Sequence, residues 1–163
     1  MTPHKPKVWP PISLHGGHTV AADGKATVAD MVDAAARVGM QVFGLSEHFY
    51  RPREERFAYV TDTLGYDWGR ESWPRFVEDV LEAKRKQTDG LRVLLGAEVE
   101  FIPGYLEWTL EQLEKWPLDY KVLSVHFVLV GEKAYAFDFG PNYWKKAATA
   151  CGGPVGLYRR YYE

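Results

Sequence analysis

The sequence has a single cysteine, Cys151, in 163 residues. That excludes an internal disulfide framework and fits a reducing compartment, so a cytoplasmic location is expected. No apolar run approaches the ~20 residues that a membrane-spanning helix needs. The proline-rich start, MTPHKPKVWPP, has no apolar core of the kind a secretion signal carries. No membrane association is expected. An excess of one charge is missing too: 20 Lys and Arg face 22 Asp and Glu, for a net charge of −2. Without a basic surplus or a long single-sign run, nucleic acid is not the expected partner. The "GGH" stretch lacks the lysine and the spacing of a phosphate-binding loop, and there is no G-x-S-x-G nucleophile elbow. Cys151 has no histidine near it in sequence, which leaves it a packing role.

What is present is a chain with 46% hydrophobic residues, enough for one domain with a sizeable core. Residues 1–11 read as an N-terminal tail and residues 12–163 as the domain. After the tail the pattern alternates. Ile12–His15 reads as a short strand. Thr27–Val38 reads as a helix with a T-x-x-D start, and Val28, Met31, Val32, Ala35 and Val38 make one apolar face. Gln41–Ser46 is a buried strand, followed by a long loop from Phe49 to about Gly69. Ser72 can cap a helix that runs to about Gln87 with Phe76, Val77, Val80 and Leu81 inward. "LRVLLGAEVEF" is a strand, and Tyr105–Trp116 is helical through Leu106, Leu110 and Leu113. "DYKVLSVHFVL" is a further strand. Asn142 can cap a short helix that ends near Gly152, and Pro154 opens a last one. Strands alternating with helices predict parallel βαβ units, with about four strands in a small doubly wound sheet or in part of a barrel.

The chemistry gathers at the strand ends. His15 follows the first strand, Glu47 and His48 the second, Glu98 and Glu100 the third, and His126 the fourth. In parallel α/β folds these C-terminal ends converge on one face, and that face carries the site. Any one such histidine is commonly a hydrogen-bonded loop residue. Four of the chain's five histidines at strand ends, with carboxylates among them, have a joint explanation in a divalent-metal site. Imidazole and carboxylate together suit Zn, Mn or Fe. A carboxylate can bridge two metals, and paired metals stabilise phosphoryl transfer. Arg51 and Arg53 follow His48 and could grip a phosphate, although solvated loop arginines are common.

In order and spacing, "SLHGGHT", "GLSEH", "GAEVEF" and "LSVHF" resemble the first motifs of the polymerase-and-histidinol-phosphatase (PHP) superfamily. The end segment, "FDFGPNYWKKAATACGGPVGLYRRYYE", resembles its histidinol-phosphatase branch. The resemblance implies an incomplete, distorted (β/α)7 TIM-like barrel and a site of two or three divalent metals that hydrolyses a small-molecule phosphate monoester, histidinol phosphate. It implies that His15 and His18 bind a first metal, Glu98 bridges to a second held by His126, and His48 helps bind a third. Glu98 and His126 would then be catalytic, with Arg51 and Arg53 binding substrate. Glu47 stands where the family often has Asp. Where three-metal members carry C-x-H, this chain has "VAADGKA", with Asp23 the only nearby ligand type.

The resemblance also implies that further ligands lie beyond the motifs present here, so the chain reads as the N-terminal part of such a domain. A half barrel leaves open strand edges and an uncovered interior. Self-association, or pairing with a completing chain, is therefore expected. Alternative readings are another phosphoesterase or nuclease on the same scaffold, or an incomplete fragment that only binds metal or a partner.

Overall fold

The computed structural model describes residues 11–52, 70–86 and 90–163. The expected tail up to Pro10, most of the 49–69 loop including Arg53, and the helix end at Gln87 lie outside the described residues. Among the described residues eleven elements follow in order: β1 (Ile12–Ser13), α1 (Val28–Arg37), β2 (Val42–His48), α2 (Trp73–Lys86), β3 (Arg92–Glu100), α3 (Leu106–Leu113), β4 (Tyr120–Ser124), β5 (Phe127–Val130), β6 (Lys133–Ala136), α4 (Pro141–Ala150) and α5 (Pro154–Tyr162). Strands β1 to β4 pair in sequence order, all parallel. They curl into half of a TIM-like barrel with helices outside. The order runs straight along the sheet and the crossover helices share one cluster, which selects the barrel over the doubly wound alternative.

Alternation along each strand separates two faces. Outward, Phe43, Leu45, Val93, Leu95, Ala97 and Val99 pack with Val28 and Ala35 of α1, Leu113 of α3, and Trp73, Phe76, Val77 and Val80 of α2. Thr27 caps α1 in a full capping box with Asp30. Asp119 fixes the start of β4. Its carboxylate accepts from the Leu95 N–H (2.7 Å) and from Lys84 of α2 (2.6 Å). Inward, the Tyr120 ring lies flat across Gly44 of β2 and Gly96 of β3, where a Cβ on either glycine would overlap it. This makes a closed floor beneath the strand ends.

Three expectations need correction. "DYKVLSVHFVL" is not one strand: β4 stops at Ser124, and Phe127–Val130 pairs antiparallel with Lys133–Ala136 through a Gly131-Glu132 turn, Gly131 at φ 61°. One face of this hairpin (Phe127, Ala134, Ala136) meets Ile102. Its other face meets α4 and α5 through Val128, Ala147, Ala148 and Leu157, a cluster that also takes Cys151. The Ser72 hydroxyl donates to the Ala21 carbonyl (2.6 Å), which ties the start of α2 to the turn after Thr19. Asn142 does not cap α4, which opens with Gly140 at the cap position and Pro141 inside. Leu106 and Leu110 of α3 and Val38 are exposed, and only Leu113 of the expected α3 stripe is buried.

The Tyr120 floor gives a direct test. Gly96→Ala is expected to destabilise the fold by about 1–3 kcal/mol through overpacking. In a Tyr120→Ala background the same change should cost much less, because the colliding ring is gone. Chemical denaturation of the four proteins checks this, and additive losses would contradict it.

Candidate metal centre

The first histidine pair sits on a loop that only glycine permits. A side chain on Gly16 would run into the Phe43 ring, and Gly17 has φ 99°, in the left-handed region. The Gly16 N–H reaches the Gly44 carbonyl at 3.2 Å, pressing the loop onto β2. H-G-G-H therefore turns sharply at the end of β1 and delivers both imidazoles to the same side.

Thr19, next to His18, is pinned from below. Its N–H and its hydroxyl both donate to one oxygen of Glu47 at 2.7 Å, and the other Glu47 oxygen accepts from the His48 N–H at 3.2 Å. Glu47 is 1% exposed. Burial raises its pKa above the usual carboxylate range, against the bonds from Thr19 that lower it. The turn after Thr19 closes on that residue's carbonyl through Ala22 and Gly24, which brings Asp23 back beside His18.

Glu98 stands in the middle. It lies on β3 in register with His48 on β2. One of its oxygens, Oε2, is 2.8 Å from His18 Nε2, 3.1 Å from His48 Nδ1 and 3.8 Å from His15 Nε2. The other, Oε1, is 3.0 Å from His126 Nε2. The imidazole rings stand close to one another, with His18 and His48 3.9 Å apart between centroids.

Side-chain oxygens hold the far nitrogens of three of these rings. Ser46 donates its hydroxyl to the Leu14 carbonyl (3.3 Å), which leaves its oxygen to accept from His15 Nδ1 (2.7 Å). Asp23 takes His18 Nδ1 at 2.5 Å, and Glu100 takes His126 Nδ1 at 2.5 Å. In all three the Nε2 atom is the one turned toward Glu98. Three overlapping groups result, each with donor atoms within 4.8 Å of one another: His15, His18 and Glu98; His18, Asp23 and His48; His48, Glu98 and His126. A mixed imidazole and carboxylate set of this kind can hold a divalent metal.

The protonation pattern follows from the packing. Burial works against charge on His126, but hydrogen bonds to Glu100 and Glu98 outweigh it and raise its pKa to about 10. Burial likewise opposes charge on His18, and Glu98, Glu47 and Asp23 outweigh it, to about 8. His48 has its pKa lowered to about 2, by burial first and then by the charge on His18. Burial would raise the Glu98 pKa, yet bonds from His126 and His18 hold it well below the usual range.

All five expected metal-ligating residues, His15, His18, His48, Glu98 and His126, are thus in one cluster, with Asp23 beside them. Arg51 is not in open loop space: it is buried, donates to Glu100 at 3.1 Å and lies over the Phe127 ring. Arg53 lies outside the described residues. Asp138 was not singled out from the sequence. The hairpin returns it to 3.7 Å from His126 Nε2, and burial raises its pKa. Ser46 and Thr19 were missed too, since a hydroxyl that braces a histidine leaves no mark in periodicity.

The PHP domain family matches residues 14–163. A Schizosaccharomyces pombe protein named probable histidinol-phosphatase is 32% identical over 158 residues, covering 94% of this chain and 50% of that protein. The histidinol-phosphatase of Bacillus subtilis is 23% identical over 139 residues, covering 84% of this chain and 51% of that protein. A crystal structure of hisK from Listeria monocytogenes superposes with a TM-score of 0.73 at 20% identity, over 93% of this chain and 57% of that one. The chain spans about half the length of the curated relatives it matches.

In the metal-free protein, His18 and His126 stabilise the fold in their protonated forms. Their pKa values are raised above the unfolded 6.5. That contribution is complete below about pH 6.5 and lost as pH rises through about 8 and then about 10. Denaturation of the metal-free chain should therefore become easier from pH 7 to pH 10.5. Divalent metal should bind more tightly over the same range, as it displaces those protons. Metal affinity that is flat with pH would contradict this protonation pattern.

Proposed function

The chain belongs to the PHP domain family, and from that premise we propose that it is the metal-bearing part of a phosphomonoesterase of the histidinol-phosphatase type. The observation that carries the proposal is the buried Glu98 carboxylate, whose ion-pair partners among the described residues are all imidazoles. In the proposed site His15 and His18 would hold one divalent ion, Zn, Mn or Fe. Glu98 would be shared with a second held by His126, and His48 with Asp23 would serve a third. The donor set fits such ions, because all four rings turn a nitrogen toward Glu98 and three of them have the other nitrogen held by an oxygen. When bound, the metals supply Lewis-acid stabilisation of phosphate oxygens and lower the pKa of water.

The chain's own residues do the rest. Glu98 and His126 are the proposed catalytic pair. Asp138 lies beside His126 at the mouth of the cluster, a carboxylate able to accept a proton or a cationic group. Arg53 is proposed to grip the phosphate. Arg51 is assigned there only through its charge, since its Nη2 already donates to Glu100. The substrate class, a small phosphate ester of an amino alcohol, comes from the names of the relatives.

A completed barrel is part of the proposal. Leu123 on β4 is 68% exposed, and Leu106 and Leu110 of α3 are exposed as well. Such apolar residues beside an edge strand suit a covering layer from further chain or a second copy.

Phosphate release from L-histidinol phosphate with added Mn2+ tests the reading. The 163-residue chain is expected to act slowly alone. A fusion that adds the second half of the Schizosaccharomyces pombe relative should act at least roughly 100-fold faster, as missing ligands typically cost 10–100-fold each. Glu98→Gln in the fusion should abolish release. Turnover that is independent of metal, or unchanged by Glu98→Gln, would overturn the proposal.

A further inference from the structure

Behind His126, on the side away from Glu98, lies a second carboxylate that none of the three metal-holding groups includes. Glu100 follows Glu98 by two on β3, so it shares the inner face one step further along. One of its oxygens accepts from the His126 backbone N–H at 2.7 Å. The other accepts from His126 Nδ1 at 2.5 Å and from Arg51 Nη2 at 3.1 Å. Glu100 and Arg51 are both buried, at 6% exposure each. Arg51 is packed over the ring of Phe127, the first residue of β5.

The chain breaks at His126. Strand β4 ends at Ser124 and the hairpin begins at Phe127, so Val125 and His126 lie between the two ladders and neither ladder fixes the His126 N–H. The His126 carbonyl is taken by the Phe137 N–H at 3.2 Å. Its N–H and its ring are both taken by Glu100. One carboxylate thus fixes a non-strand residue twice, once by backbone and once by side chain.

We propose that Glu100 is a positioning residue: it clamps His126 through the backbone N–H and Nδ1 so that Nε2 faces Glu98, and Arg51 holds Glu100 in that orientation. The inference rests on the metal-site reading only for its affinity readout. Three donors meet two oxygens here. A glutamine at this position offers one oxygen and an NH2 group, so it cannot satisfy all three and must turn a donor toward another donor.

The test uses the full chain. In metal-free protein labelled with 15N-histidine, the His126 Nδ1–H proton should give a downfield, slowly exchanging signal, assigned by its loss in His126→Asn. Glu100→Gln should shift or remove that signal. In separate samples it should weaken Mn2+ binding, measured by chelator competition, by roughly 10–100-fold, the usual cost of losing an outer partner of a metal-ligating histidine. Glu100→Asp keeps two oxygens and should recover part of both. If Glu100→Gln does not fold, Arg51→Lys decides, with a several-fold weaker Mn2+ affinity expected. Glu100→Gln that leaves the signal and the Mn2+ affinity unchanged overturns the proposal, as does a silent Arg51→Lys in that second case. A wild-type chain that binds no Mn2+, yet loses the signal in Glu100→Gln, keeps the positioning role and overturns the metal site instead.

Discussion

The Glu98 carboxylate is the constraint on which the rest of this structure depends. A buried carboxylate is expensive unless something cationic or strongly donating surrounds it. Here four imidazoles do so, and they come from separate segments: the loop after β1, the end of β2 and the break after β4. Parallel register is what brings those segments level. His48 is opposite Glu98 because β2 and β3 pair without a bulge, and Gly44 and Gly96 leave room for Tyr120 to fill the space beneath. The cluster therefore rests on a floor that is packed rather than open.

Around it runs a ring of oxygens that touch the outer side of the histidines: Ser46, Asp23 and Glu100, with Glu47 and Thr19 steadying the loop below. Orientation is their contribution. An imidazole has two nitrogens, and the bond made by one determines which way the other points. Protons on His18 and His126 balance the carboxylates in the metal-free chain. A divalent cation would satisfy the same charge with better geometry, which ties the acid–base chemistry of the cluster to its metal chemistry.

Much of this was legible in the sequence, and the reasons differ from residue to residue. Strands β1 to β4 are apolar runs at βαβ spacing, and their C-terminal ends hold His15, His48, Glu98 and His126, so this cluster of side chains could be located before any contact was known. The hairpin was not legible. "LSVHFVL" alternates straight through Ser124 and Phe127, and periodicity cannot report that the ladder partner changes between them. Asp138 went unseen for that reason, since only the hairpin's return brings it to His126. Ser72 has the right residue type for a helix cap, and its hydroxyl also reaches a tertiary acceptor, the Ala21 carbonyl, which the sequence does not report. Arg51 reads as a loop charge in sequence and becomes a buried partner of Glu100 once β5 packs against it.

The described residues form half of a barrel, and the imidazoles and carboxylates gathered at its rim come from all four parallel strands or the loops that follow them. These side chains are proposed to share divalent ions across Glu98. Anomalous diffraction from crystals of the chain soaked in Zn2+ or Mn2+ tests this most directly. Density is expected within about 2.0–2.2 Å of a Glu98 oxygen, the usual metal–carboxylate distance, flanked by His15 and His18 on one side or by His126 on the other. Density that avoids Glu98, or crystals that take up metal only at surface carboxylates, would contradict it.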